Sequence, residues 1–341
     1  MSARTRPEAV RAAALLAALV APLVTAACVE PPAPAPQDPE LYDLLHPPGF
    51  PEIVVPDDNV TTREGIALGR ALYYDNRLSP DGSRACADCH LQQNAFSRAD
   101  LVGVLPHMNL GWSQHFLWDG GFDGTLEEAM QKEVELFFAT DVERLREPDL
   151  LGLFRAAFGS DEITTVKAAY ALAQFQRTMV SANSRFDQYL AGDSEAMTDA
   201  ERRGMQTFYS EHGECFHCHA NNLFTDNLFH NTGLVADADI AGTGRAHVTG
   251  DPDDDGLFKT PTLRNVEHTG PYMHDDRFAT LEEVIDFYSA GQVASRTIDT
   301  LMPSPTGGGF GFTPEEKADL VAFLRSLSDD EFLTNPALSR P

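Results

Sequence analysis

The chain is poor in cysteine. Only five occur in 341 residues: Cys28, Cys86, Cys89, Cys215 and Cys218. Four of them fall in two copies of one pattern, so no pair is left to form a disulfide in the mature fold. Basic residues are scarce too, with 25 Lys and Arg against 52 Asp and Glu and a net charge of −27. That balance excludes nucleic acid as a partner by repulsion. Beyond residue 24 no apolar run is long enough to span a bilayer. No segment alternates apolar and polar residues convincingly, so strands are not expected.

The first residues read as an export signal. Arg4, Arg6 and Arg11 precede an Ala/Leu/Val run at 12–24, and Thr25-Ala26-Ala27 offers small residues before a cut. Cys28 follows that cut, as in bacterial lipoproteins, with Thr25 where Leu or Val is usual. Lipidation of Cys28, giving a membrane tether, and simple cleavage both stay open. Pro31, Pro32, Pro34, Pro36 and Pro39 make residues 28–46 an extended tether. An exported, periplasmic protein is expected. Loss of residues 1–27 leaves 22 basic against 51 acidic residues. The acidic surface serves solubility and could steer a basic protein partner.

What remains divides into two similar halves, 47–193 and 194–341. Thr61-Thr62-Arg63-Glu64 is a capping box that opens a helix ending in Tyr73-Tyr74. Thr198-Asp199-Ala200-Glu201 opens a second, ending in Phe208-Tyr209. Gly69 and Gly204 stand at the same distance from these aromatic pairs. Each half ends in another amphipathic helix. One runs through Val166, Tyr170 and Ala173 to about Met179, and the other begins at Thr313-Pro314-Glu315-Glu316. The expected fold class is all-α: two cytochrome c-like domains in tandem, each carrying one covalent haem.

The chemistry sits in the repeated pattern. Cys86-Ala87-Asp88-Cys89-His90 and Cys215-Phe216-His217-Cys218-His219 are C-x-x-C-H motifs, each close behind the first helix of its half. Two thiols at that spacing meet the two vinyl groups of a haem, and the His that follows reaches the iron. Zinc is the competing reading, but zinc pairs sit on short hairpins and these follow helices. His90 and His219 are then the proximal ligands, and His217 a bystander. Each haem's distal side decides its work, since an open side binds peroxide and a closed one carries electrons.

The stretches LGRALYYDNRLSPDGSRACADCH, NLGWSQHFLWDGG, ECFHCH, FHNTGL, KTPTLRNVEHTGPYMHDD and TLEEVIDFYSAG resemble the bacterial di-haem cytochrome c peroxidase family. The resemblance runs from about Pro47 to Leu327 and is strongest to its MauG and MbnH branch. It implies that the first haem reacts with hydrogen peroxide while the second stores or relays an oxidising equivalent, the two sharing a bis-Fe(IV) state. A partner protein residue, Trp or Tyr, would then be oxidised at a distance. Two alternatives stand: a peroxidase fed by a small cytochrome or copper protein, and an electron carrier without enzymatic activity.

The resemblance also assigns residues. Trp118 matches the inter-haem Trp, whose usual fate without that match is core packing. Trp112 reads as core. Asn109, Thr269 and Pro271 match positions that give oxygen ligands to a calcium ion. Asp251–Gly256 looks like an EF-hand start, but its twelfth position is Thr262, so it reads as an acidic turn. His274 matches a residue near the inter-haem region, and Arg264 would meet a haem propionate. Leu281, Val284, Ile285 and Tyr288 share one helix face, so Tyr288 points inward. Peroxidase members carry Met fourteen residues after the His that matches His274; here that position is Tyr288, as in MauG-type members. Met273 and Met302 are rival ligands.

The first haem's distal wall departs from the pattern. The family has a Gln, a Pro and then an acid after W-D-G. The segment here is LEEAMQKEVELFFATDVER, without Pro. Family spacing lands on Ala139, and MbnH-like spacing lands on Glu143 with Gln131 upstream. Glu133 and Glu135 are alternatives. An acid there would shuttle a peroxide proton. His107 or His115 would close this haem if either bound its iron.

Overall fold

A computed structural model of the protein describes residues 38–303 and 309–341, besides Met1. The basic start, the apolar run at 12–24, Cys28 and the prolines up to Pro36 lie outside the described residues. No helix among the described residues is long and apolar enough to cross a membrane.

The fold is helix-rich. Its helices are α1 (Arg63–Tyr73), α2 (Cys86–Cys89), α3 (Leu126–Lys132), α4 (Pro148–Phe158), α5 (Thr165–Arg177) and α6 (Arg185–Leu190). They continue with α7 (Asp199–Phe208), α8 (Asp237–Ile240), α9 (Ala246–Thr249), α10 (Leu281–Ala290), α11 (Pro314–Arg325) and α12 (Asp330–Thr334). The departure from an all-helical chain is two antiparallel ribbons. β1 (His115–Phe116) pairs with β2 (Phe122–Asp123), and β3 (Phe229–His230) with β4 (Phe258–Lys259). Two residues per strand are too few for alternation to show in the sequence.

The helices start where the capping residues stand. The Thr62 hydroxyl accepts from Gly65 N–H, and Thr198, Thr280 and Thr313 close capping boxes with Glu201, Glu283 and Glu316. The repeat in the sequence becomes a repeat in packing. α1 crosses α5, and α7 crosses α11, in the same way. A Cβ on Gly69 would lie 1.9 Å from the Ala171 carbonyl oxygen, and one on Gly204 1.9 Å from that of Asp319. Only glycine permits backbones that close. Above each crossing stands an aromatic trio, Tyr73, Phe96 and Phe175 in one case and Phe208, Phe224 and Phe323 in the other. Gly204→Ala is therefore expected to destabilise the haem-loaded protein by about 1–3 kcal/mol through overpacking. An unchanged melting midpoint would mean that α7 and α11 do not approach this closely.

The described residues from Asp38 onward form one compact unit with two buried apolar clusters. The first is built mainly from residues 68–179 and the second from residues 186–327. Phe186, ahead of the expected boundary at 193, already belongs to the second cluster, while Phe332 and Leu338 near the end return to the first. A buried ion pair joins Arg177 at the end of α5 to Glu127 on α3; their side chains are 1% and 6% exposed. Asn59 adds a hydrogen bond to Glu127 of 2.7 Å. Loss of one partner would leave an uncompensated buried charge.

Candidate haem sites and the wall between them

Each C-x-x-C-H motif opens onto its own cavity. Cys86, Cys89 and His90 line the first, and Cys215, Cys218 and His219 the second. In both, the loop after the His bends back through a Phe in the left-handed region, Phe96 at φ 57° and Phe224 at φ 53°. That conformation is costly for a bulky residue and is held by its burial. It turns each Phe carbonyl toward an imidazole. The Nδ1 of His90 lies 2.8 Å from the Phe96 oxygen, and that of His219 lies 2.9 Å from the Phe224 oxygen. A His that donates from Nδ1 presents Nε2 as the ligand atom. Burial lowers both imidazole pKa values, that of His90 to about 4, so both are neutral at pH 7, the form in which an imidazole can bind a metal.

All four thiols are free. Among the described residues, the groupings that could hold an ion are Cys218–Asp226–His230 and Glu211–Glu214–His217. Neither joins both thiols of a motif to its His, as a zinc site would need. Two thiols and a neutral imidazole at the wall of an apolar cavity suit a covalent haem. His217 is taken by Glu214 at 2.8 Å.

The far wall of the first cavity comes from α3 and α5. After Lys132 the helix continues as a π-helical turn, Glu133–Phe137, in which the Phe138 N–H donates to the Glu133 carbonyl. Such turns are frequent at functional sites. Glu133 opens this one and lines the cavity. Burial pushes its carboxyl up to about 7. Gln176 lines the same cavity; it is 1% exposed, and neither of its amide atoms has a partner. His107 lies on the other side. Its ring stacks on that of His90 with centroids 3.4 Å apart, and its Nδ1 meets the Tyr73 hydroxyl at 3.1 Å. A ring stacked on the proximal imidazole cannot also reach the iron from the opposite face. His115 is bonded to Asp123 at 2.7 Å.

Between the cavities stands Trp118, which lines both. It sits in the loop joining β1 to β2, after Leu117 at φ 67°. Its Nε1 donates to the Gly103 carbonyl at 3.1 Å, and its own carbonyl accepts from Lys259 N–H at 2.8 Å. Both bonds hold the indole in the shared wall. Lys259, Pro261 and Thr262 complete that wall from the second half.

Tyr288 lines the second cavity from α10. Burial raises its phenol pKa, and the nearby Cys218 and Cys215 raise it further. Met273, Met302 and His274 line the same cavity, with His274 stacked on Phe258 at 3.6 Å.

Several expected residues stand elsewhere. Glu143 is an exposed acid paired with Arg146, 68% exposed itself and off the cavity wall. Gln131 is turned outward to Glu135 at 3.0 Å, and Glu135 also accepts from Thr165. Ala139 is exposed. Arg264 is fully buried, but its guanidinium is taken by both oxygens of Asp187 at 2.7 and 2.8 Å. Asn109 lines the first cavity, with its carboxamide in a two-way exchange with the Ser181 backbone; Thr269 and Pro271 line the second. Trp112 donates to the Pro51 carbonyl and packs on Phe50. In the acidic turn, Asp255 pairs with Arg296.

A family model described as di-haem cytochrome c peroxidase matches residues 63–195. The methylamine utilization protein MauG of Methylorubrum extorquens is 37% identical over 302 residues, covering 83% of this chain and 84% of its own. The chain belongs to the di-haem cytochrome c peroxidase and MauG family. It is a peroxide-dependent di-haem oxidoreductase, and the family implies two c-type haems. Cytochrome-c peroxidase IdrP1 of Denitromonas iodatirespirans is 34% identical and covers 83% of this chain and 86% of its own. A crystal structure of a MauG-like protein associated with microbial copper homeostasis superposes with a TM-score of 0.79 at 34% identity, over 88% of this chain and 99% of that one.

Two residues that line the cavities, Gln176 and Lys259, were not singled out from sequence, and Glu133 stood only as an alternative to Glu143, because a π-helical turn leaves no pattern. Gln176 interrupts a buried face with Ala169, Leu172 and Ala173, and that interruption was its signal. Lys259 is a buried charge between half-buried neighbours, Leu257, Phe258, Pro261 and Thr262.

Proposed function

We propose that the protein is a MauG-like oxidase, which uses hydrogen peroxide to oxidise a Trp or Tyr of a partner protein by long-range electron transfer. The observation that carries this reading is Tyr288 in the wall of the second cavity, beside Cys215 and Cys218. A tyrosinate is a hard anionic donor that stabilises oxidised iron, whereas Met raises the potential. Bound haem supplies the two-electron chemistry with peroxide. His90 and His219 would hold the two irons, and Glu133, on the wall of the first cavity, would accept a proton from peroxide. The stacking of His107 on His90 keeps its ring from competing for the first iron. Trp118 touches both cavities and offers the route between them. His274 supports proton placement near it. A calcium ion held by the Asn109 carboxamide and the carbonyls of Thr269 and Pro271 belongs to the same proposal, since these are neutral oxygen donors. So does a periplasmic location, with or without a lipid on Cys28.

A peroxidase fed by a small redox protein is the second reading, favoured by Met273 and Met302 on the same wall as Tyr288. EPR of the resting ferric protein separates the two. The oxidase gives one high-spin five-coordinate haem and one low-spin haem lacking the Met signature. Two low-spin haems with a Met-type spectrum would overturn the oxidase reading.

A further inference from the structure

Lys259 carries the one ammonium in the shared wall, and no carboxylate among the described residues pairs with it. Its side chain is 8% exposed. Among the described residues it makes no ion pair, and its Nζ gives a single long hydrogen bond, 3.3 Å, to the Thr260 carbonyl oxygen. Asp226, whose charge reaches it, is already bonded to His230 at 2.8 Å. A buried charge without a partner is costly and is rarely tolerated unless something else satisfies it. Burial correspondingly lowers the lysine pKa to about 8. The position is fixed by two ties of its backbone. Lys259 pairs with Phe229 across the β3–β4 ribbon, and its N–H is bonded to Trp118.

The missing anion has an obvious source. A c-type haem is joined to two thiols along one edge and carries two carboxylates along the opposite edge. Lys259 lines both haem cavities. Other cations of the walls are spoken for or exposed. His230 sits between Asp226 and Asp299, and Arg84 is exposed over Phe137. Arg264, the expected propionate partner, is consumed by Asp187.

We propose that Lys259 is the shared counter-cation of the two haems, its ammonium pairing with haem carboxylates from both cavities. A cation held there favours the reduced, less positive iron at both sites. The inference rests on the presence of both haems and not on which donor closes the second.

Spectroelectrochemical titration of the haem-loaded protein tests it. Lys259→Met keeps the length of the side chain and removes the charge, and is expected to lower the midpoint of both haems. Lys259→Arg is expected to leave both close to wild type. Unchanged midpoints in Lys259→Met overturn the proposal. So does a shift in only one haem, or an equal shift in the Met and Arg variants, which would report packing. If the Met variant does not accumulate with both haems, haem content decides. Loss in Lys259→Met and Lys259→Gln with retention in Lys259→Arg supports the charge, and loss in all three overturns it.

Discussion

Glu133→Gln is expected to slow the reaction with hydrogen peroxide by about 10²–10⁴, the usual worth of a general acid–base group. Glu133 is the acid that lines the first cavity, together with His90, and stands at the head of the π-helical turn. Burial alone raises its carboxyl from 4.5 to about 7. A carboxylate with that pKa is a stronger base than an exposed one and is still ionised often enough at neutral pH to act. Only the ionised form accepts the peroxide proton. The wild-type rate should therefore climb as pH rises through about 7 and then level off, while the Gln variant should be slow and flat. Stopped-flow mixing with peroxide at a series of pH values reads both. A Gln variant that keeps the wild-type rate and pH profile would move the proton-accepting role elsewhere.

The same shift predicts an opposite effect on stability. A carboxyl whose folded pKa is raised prefers to be neutral in the fold. Below 4.5 it costs nothing. As pH rises from 4.5 to about 7, the unfolded chain ionises while the buried group holds its proton, so the fold loses stability, and the loss levels off above about 7. Glu133→Gln should thus melt higher than wild type at pH 8 while reacting more slowly, a pairing that simple damage to the cavity would not produce.

Legibility from sequence followed the physics of each feature. Helix starts were readable because a Thr or Ser cap and a Glu three residues later form a local contact. The doubled architecture was readable because Gly69 and Gly204 mark backbone crossings that no other residue permits. The two cavity-lining C-x-x-C-H motifs were readable because both thiols and the His lie within five residues. The distal wall was not. Glu133, Glu135 and Glu143 have the same chemistry, and only helix rotation separates them. A π-helical turn adds a residue to the turn and so resets which acid faces inward. Arg264 failed in another way. A guanidinium near a haem was expected to meet a propionate, but Asp187 on α6 lies seventy-seven positions away in sequence and takes both of its outer nitrogens. The pairing of Phe332 and Leu338 with the first cluster is likewise a long-range event without a local trace.

Tyr288→Met is expected to abolish oxidation of a partner protein while leaving both haems attached. Tyr288 lies one helical turn beyond Val284 on α10, and both line the second cavity. Its phenol is buried, and burial opposes the anion. A bound metal ion would reverse that balance, because it deprotonates a ligand that the protein alone would keep neutral. Tyr288 would then be an anionic donor, which stabilises oxidised iron. Met in its place is neutral and soft. Axial ligands move haem potentials over a range of ~0.8 V, so the midpoint of the second haem should rise by several hundred mV, on the order of a large part of that range. The variant would then pass electrons to peroxide from a small reductant instead of storing an oxidising equivalent. Potentiometry of the second haem and mass analysis of the partner after peroxide treatment are to be read together. Partner oxidation that survives alongside a raised midpoint would separate protein oxidation from the Tyr288 ligand. An unchanged midpoint would place Met273 or Met302, which share the wall, on the iron from the start.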